Sequence, residues 1–213
     1  MKVAMPGNLS ESSAIAAILL ASGFSMRFGG QNKLLFPFQG KPLARYTLEL
    51  AASMNFSGGI YFVAASCEVT ALAADLNAVT PIKNSSPEKG QRESVRLGVE
   101  AAGMETDYYI FFPCDQPFLD AGTVESILGA REHGFIVEPR YRARFGGPGL
   151  PGSPCLFSTV FREELLSLAE GETPRIIKGR HPEAIKAVEI SNPLALEDID
   201  DEETLKKYFP CGS

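Results

Sequence analysis

Residues 14–37 read AIAAILLASGFSMRFGGQNKLLFP, and this stretch decides the fold. The run from Ala14 to Ala21 is continuously apolar and long enough for one strand buried on both faces. It stops at Ser22-Gly23. Small and basic residues then alternate: Gly23, Ser25, Arg27, Gly29, Gly30 and Lys33. Glycines let a backbone turn tightly and bring its N–H groups close to a ligand. A strand that feeds a glycine-rich basic loop reads as a phosphate cradle, against the plainer alternative of a surface turn with two solvated cations. No G-x-x-x-x-G-K-[ST] is present, and no G-x-G-x-x-G follows the strand, so neither a P-loop nor a dinucleotide site is expected.

Downstream, helical and apolar segments alternate. The pattern predicts helices over 42–54, 68–76, 90–102 and 121–132, and strands over 60–65, 78–82, 108–112 and 134–137. That βαβα order predicts a mostly parallel sheet covered by helices on both faces. Residues 140–157 are rich in Gly, Pro and Arg and read as a site loop. Helices over 159–168, 174–179 and 201–209 and a strand over 187–190 complete the pattern. Residues 1–13 are polar, contain Pro6 and Gly7, and read as a loose tail with no secretory signal; residues 14–213 form the single domain.

Composition excludes several classes. The chain has 213 residues, 45% hydrophobic and 22% charged, and carries no apolar run near the ~20 residues of a membrane span. A net charge of −6 without a basic stripe argues against a nucleic-acid partner. Cys67, Cys114, Cys155 and Cys211 are scattered with no C-x-x-C pair, which favours reduced thiols in a cytoplasmic protein. The two histidines, His133 and His181, have no partner at ligand spacing, so a His-based metal site or a Ser-His-Asp triad is not expected.

Two carboxylate groups stand out. In Phe111-Phe112-Pro113-Cys114-Asp115-Gln116-Pro117, Asp115 sits just past a central apolar strand. Ligands of open α/β sheets bind beyond those carboxyl ends. Asp115 is placed to bind Mg²⁺ shared with substrate phosphates, or else to hold a proline-bounded turn. Near the C-terminus, Asp198 and Asp200 alternate about Ile199. One of them could supply a second metal ligand, while Asp200 or Asp201 could equally cap the final helix.

Leu20, Ala21, Gly23, Ser25, Arg27, Gly29 and Lys33 match the pattern L-A-x-G-x-S-x-R-x-G followed by K, which resembles nucleotidyltransferases that activate a phosphate with a nucleoside triphosphate. At a finer level the chain resembles the molybdenum cofactor cytidylyltransferases, a MobA-like group. The resemblance rests on P-C-D-Q-P after a strand, on D-I-D before an acidic helix start, on GPGLPGSPCLF over 147–157, and on Asn84 followed by Gly90 and Ser94. It implies one Rossmann-like three-layer α/β domain of the glycosyltransferase-A kind. It also implies a reaction: CTP and the molybdopterin-bound molybdenum cofactor give a cytosine dinucleotide and pyrophosphate, with Mg²⁺ as cofactor and a molybdenum hydroxylase as client. The chain departs from the family at Ser22, at the single Ser94, at Ser153 and over Gly171-Glu172-Thr173-Pro174-Arg175.

The resemblance distributes roles. Leu20, Ala21, Ser22, Gly23, Ser25, Gly29, Asn84 and Ser94 would bind the nucleotide. Arg27 and Lys33 would also do so while offsetting charge at the α-phosphate and leaving pyrophosphate. Asp115, with Asp198 or Asp200, would hold the metal, and Gln116, Ser153 and Arg175 would meet the acceptor. The Leu20–Gly23 corner looks like the cytidylyl branch. The alternatives are GTP or another phosphate acceptor, and a non-catalytic accessory protein that carries the finished cofactor.

Overall fold

A computed structural model describes residues 13–23, 32–141 and 149–199. Ser25, Arg27, Gly29, Asp200, Cys211, the tail over 1–12 and the helix expected at 201–209 lie outside the described residues. The chain order is β1 (Ile15–Ala21), β2 (Pro37–Phe38), β3 (Lys41–Pro42), α1 (Leu43–Ser53), β4 (Ile60–Ala64), α2 (Cys67–Thr70), β5 (Val79–Lys83), α3 (Gln91–Ala102) and β6 (Tyr108–Pro113). It continues with α4 (Ala121–Gly129), β7 (Ile136–Tyr141), β8 (Leu150–Pro151), β9 (Cys155–Ser158), α5 (Arg162–Leu166), α6 (Arg175–Arg180) and β10 (Ile185–Glu189).

β1 is central because nothing in it needs water. Ala16, Ala17, Ile18 and Leu19 are fully buried. β4 and β6 flank it in parallel register, with Leu19 opposite both Phe62 and Phe112. The main sheet runs β10-β7-β9-β6-β1-β4-β5, and β8 pairs with β7 at the side. Successive side chains alternate between the two faces. Ala17, Leu19 and Phe112 join Ala44 and Leu48 of α1 and Val124 and Ile127 of α4 in one core. Ile18, Tyr109 and Phe111 join Val95 and Val99 of α3, Leu165 of α5 and Ile177 of α6 in the other. The result is a single three-layer α/β domain with a mostly parallel sheet. Each such aliphatic side chain contributes ~1.5–3 kcal/mol when fully buried. Packing of α3 on β1 is close: a Cβ on Gly98 would come within 2.4 Å of Ile18 Cγ2.

One expectation changes. Residues 140–157 are not a plain site loop. β7 extends to Tyr141, and β9 inserts antiparallel between β6 and β7, pairing Phe111 with Cys155 and Val137 with Leu156. Cys155, Leu156 and Phe157 are buried. Pro154 and Gly152 at the entry to β9 disguise a four-residue apolar strand as loop. β7 and β10 are parallel to each other, and β9 is antiparallel to both β6 and β7, so β4, β1, β6 and β7 all end at the same edge. The helix expected over 121–132 is shorter, ending at Gly129, with Ala130 as its cap. Among the described residues no helix is long and apolar enough to cross a membrane.

Candidate active site

The carboxyl edge of β1 and β6 holds two adjoining cavities, of about 280 and 620 Å³. Leu20, Gln91 and Pro113 line both. The smaller is walled by Ser22 and Gly23 after β1, Lys33, Asp115 after β6, and Gly90 and Ser94 at the start of α3. Gly90 stands at φ +76°, a backbone state suited to glycine, and turns the chain into α3 without any side-chain cap. Gly90, Gln91 and Ser94 line the cavity, so the N-terminal turn of α3 borders it, the part of a helix that favours anions.

Lys33 is brought in by a short 3₁₀ turn over Lys33–Leu35. Asn32 caps this turn by accepting from the Leu34 N–H at 3.1 Å, and buried Leu34 anchors it. Its Nζ donates to Asp115 Oδ2 at 2.7 Å across 82 residues of chain, with side-chain exposures of 10% and 20%. The other oxygen, Asp115 Oδ1, is buried with no hydrogen-bond partner. A carboxylate oxygen left that way costs ~1–3 kcal/mol or more unless a cation or donor joins it. Burial, and then the neighbouring Asp115 charge, push the Cys114 thiol well above its ordinary value.

The Asp115 corner is strapped by the chain near the C-terminus. Ile199 N–H donates to the Asp115 carbonyl at 2.9 Å. Gln116 Nε2 donates to Asp198 Oδ1 at 2.8 Å and to the Leu196 carbonyl at 3.3 Å. Asp198 accordingly lines the larger cavity, whereas Asp115 lines the smaller one. Gln116, Ser153 and Arg175 line the larger cavity with it. Among the described residues no group of three or more His, Cys, Asp or Glu could hold a metal. Asp115 thus offers one free carboxylate oxygen, which fits a hard cation that takes most of its ligands from phosphate and water.

The other residues singled out from sequence are placed as follows. Leu20 is at the junction of the two cavities, and Ala21 packs into the core below it. Ser22 Oγ donates to the Val63 carbonyl of β4 at 3.2 Å, closing that side of the smaller cavity. Asn84 stands behind Ser94 and does not itself line that cavity. Its Nδ2 donates to Ser94 Oγ at 3.0 Å, and its Oδ1 accepts from the Ser86 N–H at 2.9 Å. Gln91 and Lys178 also line the site, and the sequence reading missed both. For Gln91 the available signal was its place directly after the helix-opening glycine. For Lys178 the only hint was Glu138, a carboxylate in register with buried Ile136.

Comparison with known proteins identifies the family and the fold. The family model described as MobA-like NTP transferase domain matches residues 17–185. The chain is 25% identical over 201 residues to a nicotine blue oxidoreductase of Paenarthrobacter nicotinovorans, covering 92% of this chain and 96% of that one. It is 29% identical over 119 residues to a molybdenum cofactor guanylyltransferase of Cupriavidus metallidurans, where the match spans about half of each protein, 55% of both. The crystal structure of Rv0371c from Mycobacterium tuberculosis H37Rv superposes with a TM-score of 0.75 at 21% identity, over 93% of this chain and 99% of that one. Its manganese complex superposes with a TM-score of 0.64 at 22% identity, over 92% and 99%. The match over residues 17–185 takes in β1, Lys33, α3 and Asp115, and the chain belongs to the MobA-like NTP transferase domain family.

Proposed function

We propose that the chain is a cytoplasmic nucleotidyltransferase that moves CMP from CTP to the terminal phosphate of the molybdopterin-bound molybdenum cofactor, releasing pyrophosphate for the benefit of a molybdenum hydroxylase. The observation that carries this reading is the Lys33–Asp115 pair, with its spare buried carboxylate oxygen, at a small cavity that adjoins a larger one. A triphosphate fits against the first turn of α3 and Lys33, and an acceptor fits the cavity bordered by Gln116, Ser153 and Arg175. The acceptor phosphate oxygen attacks the α-phosphorus, the bond from that phosphorus to the bridging oxygen breaks, and the electron pair leaves on pyrophosphate. A phosphate monoester is largely dianionic at neutral pH, its second pKa lying near ~6, so no general base is needed. The protein's tasks are alignment and charge neutralisation.

Lys33 offsets charge that grows on the leaving group, and the N–H groups at the start of α3 orient phosphate oxygens. Asp115 Oδ1 would hold a divalent ion, whose chemistry there would be Lewis-acid neutralisation of phosphate charge. The manganese complex of the structural neighbour is in keeping with a metal of this kind, and Mg²⁺ is the ion proposed. CTP is favoured over GTP because the Ser22 side chain, tied to Val63, occupies wall space that a glycine would leave to a purine. The guanylyltransferase relative makes GTP the natural competitor. Pyrophosphate release, measured with CTP, GTP, ATP and UTP in the presence of the molybdenum cofactor and with Mg²⁺ added or chelated, tests the whole reading. Loss of signal with every nucleotide would remove it.

A second reading comes from the relative named an oxidoreductase, which aligns across nearly the full length of both chains. Under that reading the same cavities would hold a hydride donor and a planar acceptor. Consumption of reduced nicotinamide by the purified chain, with no requirement for a nucleoside triphosphate, would favour it.

A further inference from the structure

The lining of the larger cavity includes a cation, Lys178, that the proposed reaction does not use. Lys178 of α6 lines that cavity and is salt-bridged to Glu138 of β7, whose side chain is only 5% exposed. Its Nζ also lies 3.6 Å from Cys155 Sγ. Burial pushes the Cys155 thiol up to about 11, so this neighbour is a neutral, weak acceptor at physiological pH. An ammonium has three donors, and these contacts use at most two. Glu138 is also paired with Arg140 at 3.0 Å, so two cations face one carboxylate, and Arg175 adds another at the cavity wall. Glu197 and Asp198 also line the cavity.

Strand register shows how far this cation stands from the reacting centre. Val137 pairs with Leu156, which places Glu138 beside Cys155, and Cys155 pairs with Phe111. Lys178 Nζ, held between Glu138 of β7 and Cys155 of β9, therefore sits at the level of Phe111, four residues before Asp115, and one to two strands away from β6. Strand spacing of ~4.8 Å and a rise of ~3.3 Å per residue put it roughly 14–16 Å from Asp115. One phosphate cannot touch both.

We propose that Lys178 is a specificity-determining residue of the acceptor cavity, and that Glu138 is its positioning residue. Lys178 binds a second anionic group of the acceptor, at the end remote from the phosphate that attacks the nucleotide. The acceptor class is therefore a phosphate monoester whose body spans roughly 14–16 Å and ends in another anion. Phe111 and Tyr141 give that body apolar and aromatic walls. This proposal rests on reading the larger cavity as the acceptor site.

Two measurements keep its failure apart from failure of that reading. In the first, inorganic phosphate is titrated against protein labelled with ¹³C-lysine, the Lys178 Cε signal being identified by its loss in Lys178→Met. A saturable shift of that signal is expected, and no shift while the Lys33 signal moves would overturn the proposal. In the second, steady-state transfer to the molybdenum cofactor is followed. Lys178→Met is expected to raise the acceptor KM by about tenfold or more, with the CTP KM unchanged, because a charge-assisted contact is lost. Lys178→Arg is expected to recover most of it. A lysine that only neutralises Glu138 would instead be replaced without loss by the neutral pair Lys178→Met/Glu138→Gln. A normal acceptor KM in that double variant overturns the proposal. If the wild-type chain transfers nothing to this acceptor, the proposed function falls and the phosphate titration still decides the role of Lys178.

Discussion

Replacing Asp115 with asparagine separates the two things this carboxylate does. In the structure its Oδ2 holds Lys33 at 2.7 Å, and its Oδ1 is buried without a partner. Removing one member of a well-buried ion pair costs ~3–5 kcal/mol. This pair borders a cavity and keeps 10% and 20% side-chain exposure, and asparagine still offers Lys33 an acceptor. The loss of stability should therefore be nearer ~1–2 kcal/mol, screened by the water that reaches the cavity. For a chain of this size that lowers Tm by roughly 2–8 °C. Catalysis should suffer more. Losing a buried charged oxygen open to a metal should lower turnover by about a hundredfold or more, at least ~2.7 kcal/mol of transition-state stabilisation. The assay is pyrophosphate release at 25 °C, with a thermal melt of the same sample. CTP should raise the wild-type Tm further when Mg²⁺ is present, and Asp115→Asn should lose that metal-dependent increment. A folded Asp115→Asn protein with near-normal turnover would refute the assignment.

Other outcomes follow from the same geometry. Lys33→Ala should lower kcat much more than it weakens CTP binding, with partial recovery in Lys33→Arg, because a planar fork replaces a compact charge poorly; equal losses in kcat and affinity, or none, would contradict a transition-state role. The same variant should cost ~1–3 kcal/mol of stability, because Lys33 is buried and Asp115 would be left alone; chemical denaturation measures this. Gly98→Ala should lower Tm by several degrees, since its Cβ would meet Ile18 Cγ2 at 2.4 Å and overpacking costs ~1–3 kcal/mol; an unchanged melt would mean that α3 rides higher on β1 than described. Among the described cysteines, a thiol reagent at pH 8 should label Cys67, which is exposed, before buried Cys114 and Cys155; mass spectrometry of the labelled peptides reads the order. The raised Cys155 pKa also sets a sign. Above the unfolded thiol's value of ~8.5 the unfolded chain loses its proton while the folded one keeps it, so stability should fall as pH rises from there toward about 11. A Tm that is flat across that window in wild type and identical in Cys155→Ala would contradict the assignment.

Much of the fold was legible because β1, β4 and β6 are uninterrupted apolar runs between amphipathic helices, and those patterns have no good alternative. The antiparallel insertion of β9 was not legible. Its four residues follow Gly152 and Pro154, and nothing local says that they pair with both β6 and β7. At the site, Lys33 and Asp115 could be named because each follows a strand end or a glycine-rich turn. Their pairing across 82 residues needed the sheet to bring β1 and β6 together. Asp198 or Asp200 was read as a candidate second metal ligand, and Asp200 lies outside the described residues. Asp198 accepts a hydrogen bond from Gln116 and lines the larger cavity, a consequence of how the 196–199 segment straps the Asp115 corner. In sequence Lys178 is one of three cations, with Arg175 and Arg180, in the six-residue helix α6. Only its contact with the buried Glu138 distinguishes it.

The most direct test is magnesium-dependent pyrophosphate release by the purified chain with a nucleoside triphosphate and the molybdenum cofactor. Release is expected to require Mg²⁺ or Mn²⁺ and the acceptor, to be fastest with CTP, and to produce one cytosine dinucleotide per pyrophosphate, identified by mass spectrometry. Faster turnover with GTP would keep the reaction and correct the nucleotide. Binding of the cofactor with no pyrophosphate from any nucleotide, metal present, would contradict the nucleotidyl-transfer assignment itself.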